Sequence, residues 1–252
     1  MNVFAIRHGE TAWSLSGQHT GATDIPLTDN GRRFAERMRP VLATKVFELV
    51  LCSPMQRARE TCQLAGLGDR AIIDSDLVEW NYGDYEGLTP EQIDESAPGW
   101  LIFRDGCPGG EAPEQVGARV DRVIARSRAV AGNTALFAHG HLLRVFAARW
   151  IGLPASGGQH FLLNTGTLSV LGYYHEIPGV RIWNGPLLDG AASFGQIRKL
   201  DPEAAGHTSG LAVAAEVRMS SGVQESDPCR SRIESVSAAT STTQSFLTST
   251  AW

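Results

Sequence analysis

Val3-Phe4-Ala5-Ile6-Arg7-His8-Gly9-Glu10-Thr11 sets a four-residue apolar run directly before two basic side chains and a glycine. A short apolar run that stops at a turn residue reads as a strand buried on both faces. The same arrangement recurs twice. Leu49-Val50-Leu51-Cys52 runs into Ser53-Pro54, with Arg57 and Glu60-Thr61 beyond, and Thr134 to Ala138 runs into His139-Gly140-His141. Between these runs the spacing turns helical. Phe34, Met38 and Val41 follow Thr28, a candidate N-cap, and Val116, Val120 and Ile124 mark a helix from Pro113 to Val130. Ser53 as N-cap with Pro54 at the first helical position opens another helix, and Thr89-Pro90 repeats that signal before Glu91. Leu142 to Trp150 is helical. Ala71 to Ile73 reads as a short strand, and Leu168–Tyr174 with Val180–Trp183 as a closing strand pair around Pro178-Gly179. Strands alternating with helices predict a mainly parallel sheet with helices on both faces. In such sheets the ligand sits at the carboxyl ends of the strands.

If the three runs are parallel neighbours, their ends share one crevice. It then holds Arg7, Arg57, His8 and His139, and its natural ligand is a compact dianion such as phosphate. Arginine offers a planar fork of donors matched to phosphate oxygens, and helix starts after Ser53 and near His141 add free backbone N–H groups. Each fragment alone is weak, because a histidine after a strand is more often structural than catalytic. Their joint position at three strand ends carries the argument. A fourth segment, Leu77-Val78-Glu79-Trp80-Asn81-Tyr82-Gly83-Asp84-Tyr85-Glu86-Gly87, is rich in carboxylates and aromatics. Glu79 is the candidate proton donor to a leaving alkoxide. The alternative is that Glu79 pairs with an arginine and the aromatics cover a core edge.

Bulk composition narrows the rest. The net charge of -5 gives no general attraction for nucleic acid or an anionic membrane, so an anion site must be built locally. The four cysteines lack disulfide-framework or metal-ligand spacing. With no signal-peptide start and no bilayer-length apolar run, the expected compartment is the cytoplasm. Residues 201–252 contain 16 Ser or Thr and only eight Leu, Ile, Val or Phe. That is too few for a core, so 201–252 is expected to be a disordered tail without a catalytic role, behind a domain over 1–200.

The four motifs, in this order, resemble the histidine phosphatase superfamily, also called phosphoglycerate mutase-like: Arg7-His8-Gly9-Glu10-Thr11; Ser53-Pro54 with Arg57 and Glu60-Thr61; Glu79 with Gly83 and Glu86-Gly87; Ala138-His139-Gly140. The resemblance covers about residues 3–185. It implies a three-layer α/β/α sandwich and a phosphohistidine on His8. It implies phosphoryl oxygens bound by Arg7 and Arg57, with His139 completing the clamp and Gly140 beside it, and Glu79 as the acid. Where the family often has Asn, this chain has Ser14, whose hydroxyl can still donate to phosphate. The stretches Trp13 to Gly21, Trp80 to Gly87 and Asp105 to Glu111 look most like the branch related to sedoheptulose-bisphosphatases.

The expectation is therefore a phosphomonoesterase acting on a small phosphorylated metabolite, a sugar phosphate above all, with no cofactor and no metal. Thr20, Gly21, Trp80, Tyr82, Trp100 and Cys107 are candidate rim residues. Two rivals stand beside it. A cofactor-dependent phosphoglycerate mutase would return the phosphoryl group to another hydroxyl, but only about 50 residues separate Gly87 from His139, which is short for that class. A non-catalytic phospho-ligand module would normally have lost its nucleophile or acid. Oligomeric state is not readable.

Overall fold

The computed structural model describes residues 1–185. The tail expected over 201–252 lies outside the described residues. Six strands form one sheet: β1 (Val3–Arg7), β2 (Phe47–Cys52), β3 (Ile72–Ile73), β4 (Asn133–Ala138), β5 (Leu168–Tyr174) and β6 (Ile177–Gly185). The helices are α1 (Ala12–Ser16), α2 (Asp29–Ala43), α3 (Gln56–Leu64), α4 (Pro90–Ser96), α5 (Ile102–Asp105), α6 (Pro113–Arg128) and α7 (Gly140–Trp150). Strand order is β3-β2-β4-β1-β5-β6. The first four run parallel, β5 runs antiparallel to β1, and β6 runs antiparallel to β5.

The period-two alternation of the strands divides the molecule into two cores. Val3, Ala5, Leu51, Leu136 and Ala138 point to one side, where Val116, Val120 and Val123 of α6 and Leu142, Phe146 and Trp150 of α7 cover them. Phe4, Ile6, Val50, Cys52, Ala135 and Phe137 point to the other, against Met38 and Leu42 of α2 and Ala58 and Cys62 of α3. This is the three-layer α/β/α arrangement. Because β4 lies between β1 and β2, Arg7 pairs with Ala138 and Cys52 with Phe137, so the three strands end at one level.

Two local expectations need correction. Ser53 does not cap a helix beginning at Pro54. The helix starts at Gln56 with Met55 as N-cap, and Ser53 Oγ instead accepts from Met55 N and meets His139. The turn between β5 and β6 is made at His175-Glu176, with His175 at φ 53°, and Pro178-Gly179 lie inside β6. Among the described residues no helix is long and apolar enough to cross a membrane.

Candidate active site

His8 follows the last residue of β1, and its backbone N–H donates to Ala138 O, which locks the loop to the end of β4. Gly9 must be glycine: a Cβ there would stand 2.5 Å from Gly31 O, where the loop crosses the start of α2. Gly9 N donates to Thr61 Oγ1 of α3. The His8 ring is 2.7 Å from Gly9 O through Nδ1. A carbonyl only accepts, so Nδ1 carries the hydrogen and Nε2 keeps a lone pair. Burial, then the charges of Arg7 and Arg57, holds His8 well below the ordinary imidazole value of 6.5. The ring therefore stays neutral.

A cavity of about 220 Å³ opens at the strand ends, lined by Arg7, His8, Ser14, Thr20, Glu79, Tyr82 and Gly140 among others. Arg7 is anchored by Nη1 to Leu163 O, and its Nε is buried with no hydrogen-bond partner among the described residues. Burial works against its charge and Glu79 supports it. An orphaned, buried guanidinium donor is costly unless an anion meets it. Gly140 lets Arg7 lie close, since a Cβ there would be 3.1 Å from Arg7 Cζ.

Glu79 is 6% exposed, and its carboxylate caps α7: Oε1 accepts from Leu142 N and Trp80 N, and Oε2 from His141 N. With two acceptor positions per oxygen, Oε2 alone keeps one free for a proton. The loop carrying Glu79 is held by Arg119, whose guanidinium donates to the carbonyls of Asp76, Val78 and Glu79 and to both oxygens of Glu111.

Arg57 and His139 stand behind His8, not on the cavity wall. Arg57 is fully buried; it donates from Nε to His139 Nδ1 at 3.2 Å and from its Nη atoms to the carbonyls of Thr20, Gly21 and Thr23. An arginine Nε always carries its hydrogen, so His139 Nδ1 is the acceptor and His139 Nε2 donates to Ser53 Oγ, 2.7 Å away. His139 is thus neutral, and burial with Arg57 and His8 beside it keeps it so. The rings of His8 and His139 are 5.2 Å apart between centroids.

The Ser14 hydroxyl lines the cavity but is engaged in capping α1, accepting from Thr11 N and donating to Thr11 O. Of the expected rim residues, Thr20 and Tyr82 line the cavity, and Gly21 N donates to Glu86. Trp80 and Cys107 are core side chains, and Trp100 lines a neighbouring cavity. Sequence reasoning missed the side chains of His19 and Arg144, which line the same cavity, and Arg119, which holds the Glu79 loop. Arg144 is four residues after Gly140 on α7, so helical spacing would have put it on the same face.

Comparison with known proteins agrees with this geometry. Residues 3–186 match the family model described as "Histidine phosphatase superfamily (branch 1)". The chain belongs to the histidine phosphatase superfamily. One member with which it shares 42% identity is an acid phosphatase from Mycobacterium tuberculosis, over 69% of this chain and 88% of that one. Another, at 41%, is a sedoheptulose 1,7-bisphosphatase from Saccharomyces cerevisiae, over 59% of this chain and 66% of that one. Among solved superfamily structures, the product of an M. tuberculosis open reading frame superposes with a TM-score of 0.71 at 37% identity, covering 74% of this chain and 98% of that one. A mycobacterial glucosyl-3-phosphoglycerate phosphatase superposes with a TM-score of 0.65 at 28% identity, over 73% of this chain and 98% of that one.

Proposed function

We propose that this histidine phosphatase hydrolyses small phosphorylated sugars through a phosphohistidine on His8, without a metal. The observation that carries the reading is the His8 tautomer: Nδ1–H is tied to Gly9 O, and the Nε2 lone pair is left on a cavity shared with Arg7 and Glu79. In the first step Nε2 forms a bond to phosphorus as the ester P–O bond breaks. The leaving oxygen takes the electron pair and a proton from Glu79 Oε2. In the second step water attacks phosphorus in line, Glu79 takes its proton, and the N–P pair returns to His8. The free donors of Arg7 neutralise charge on the phosphoryl oxygens, while the backbone N–H groups of His141 and Leu142 hold Glu79 in place. Arg57 adds positive charge from behind His8, and the neutral His139 ring accepts from its Nε and holds it there. Both hydrogens of Arg57 Nη2 are already donated, to Thr20 O and Gly21 O. Substrates of this size suit the bisphosphatase and glucosyl-phosphoglycerate phosphatase relatives. The free thiols of Cys52, Cys62 and Cys107 suit a reducing cytosol.

The test is acid-quench trapping of labelled phosphate on the protein, with turnover of nitrophenyl phosphate and a sugar phosphate panel in a chelator. His8→Ala is expected to abolish both trapping and turnover; full activity in that variant sinks the reading. Isomerisation of phosphoglycerate with no phosphate release would point to the mutase instead. We assign catalysis to residues 1–200, so a chain ending at residue 200 is expected to keep its kcat and KM.

A further inference from the structure

Beside the cavity at His8 lies a second one of about 650 Å³, and His19, Pro90, His141 and Arg144 line both. These four residues form the threshold between them. Whatever is esterified to a phosphoryl group beside His8 meets it first. The two imidazoles stand parallel, with centroids 5.9 Å apart and planes 5° apart. Trp100 sits edge-on to His19, and Glu91 and Asp94 lie farther along the outer cavity.

The hydrogen bonds at the far side of each ring decide what it presents. His19 Nδ1 is 3.0 Å from Leu88 O. The carbonyl only accepts, so Nδ1 carries the hydrogen, and Nε2 offers a lone pair. His141 Nδ1 is 2.6 Å from the Tyr82 hydroxyl. Tyr82 is buried, and burial pushes its ionisation well above the ordinary phenol value, so it remains O–H. Among the described residues that hydroxyl has no other acceptor, and a buried donor left unpaired is costly. The phenol therefore donates to His141 Nδ1, and the imidazole hydrogen resides on Nε2. Neither Nε2 has a hydrogen-bond partner among the described residues. Burial keeps both rings below the usual imidazole value, so both are neutral.

The threshold thus offers one acceptor and one donor side by side, both uncharged. A hydroxyl both donates and accepts, so a carbon chain bearing hydroxyls satisfies the pair. A hydrocarbon chain satisfies neither nitrogen. We propose that His19 and His141 are specificity-determining residues that read neutral hydroxyls on the leaving group, His141 Nε2–H donating to a hydroxyl oxygen and His19 Nε2 accepting a hydroxyl hydrogen. This rests on the phosphatase reading above and adds to it which side chains select a polyol.

Two asparagine variants isolate the effect. His19→Asn keeps a donor for Leu88 O, and His141→Asn keeps an acceptor for Tyr82; each deletes only the nitrogen facing the threshold. The readout is kcat/KM on ribose, glucose and glycerol phosphates relative to butyl phosphate, which leaves as a similar alkoxide without hydroxyls. The parent favours its best polyol phosphate by roughly a hundredfold, and each variant cuts that ratio about tenfold, as expected when one hydrogen bond to a hydroxyl is lost. His141→Gln, which restores an N–H near the Nε2 position, recovers part of the ratio. An unchanged ratio in both asparagine variants, or an equal loss on polyol and butyl phosphates in both, overturns the proposal. Parent turnover of nitrophenyl phosphate with no preference for polyol over butyl phosphate overturns it alone. No turnover of any of these substrates overturns it together with the phosphatase reading.

Discussion

The hydrogen on His8 is placed by one carbonyl, that of Gly9, and the hydrogen on His139 by one guanidinium nitrogen, Nε of Arg57. Both rings are neutral because burial and neighbouring cationic charge disfavour a further proton. His8 is accordingly expected to show the NMR signals of the neutral Nδ1–H tautomer down to its ordinary value of about 6.5 and to titrate only below it. A ring already half protonated at or above that pH contradicts the assignment. Ser53→Ala removes the acceptor for the buried His139 Nε2–H. The cost expected in urea denaturation is about 1–3 kcal/mol, the penalty for one orphaned buried donor.

At the scale of elements, the site exists because α7 begins where β4 ends and the Glu79 loop crosses its N-terminus. Glu79 satisfies the first free N–H groups of α7, which fixes its carboxyl group at the strand ends. Arg119 holds that loop from α6, shielded from solvent. Arg119→Lys replaces a planar fork with a point charge and leaves carbonyls of the loop unpaired. The expected result is a stability loss of about 2–4 kcal/mol, with kcat falling more than KM rises, because Glu79 is displaced while Arg7 is not. An unchanged kcat would show that the clamp does not position the acid. The close crossing of the His8 loop over α2 makes a separate demand. Gly9→Ala is expected to lower phosphohistidine trapping and the unfolding midpoint together, since the added Cβ meets backbone that cannot move aside. Arg119 was legible in part: it lies on the same helical face as Val116, Val120 and Val123, where an unpaired charge is not tolerated. Its partners, the carbonyls of Asp76, Val78 and Glu79, belong to an irregular loop that no periodicity announces.

For the molecule as a whole, the buried histidines tie stability to pH. His8, His19, His139 and His141 all have folded values lowered from 6.5. Below about 6.5 the unfolded chain binds protons that the folded chain refuses, so their contribution is complete above that pH and is lost as pH falls through it. The urea midpoint is expected to drop between about pH 7.5 and 5.5, with proton uptake on unfolding at the lower pH. A constant midpoint over that interval would mean that the four rings bind protons equally in the folded and unfolded states. What the sequence determined alone is the set of strands, their order of motifs and the candidate nucleophile, arginines and acid. These follow from apolar periodicity and from residue types at strand ends, both local properties. Only the tertiary structure decided that β4 separates β1 from β2, that Arg57 and His139 stand behind His8, that Ser53 serves His139 in place of a helix cap, and that Trp80 belongs to the core while His19 and His141 frame the passage outward. Those facts depend on strand pairing and on which hydrogen-bond partner each buried polar atom finds 59 to 86 residues away along the chain. Such partners are selected by the whole packed arrangement and leave no mark at the residue itself.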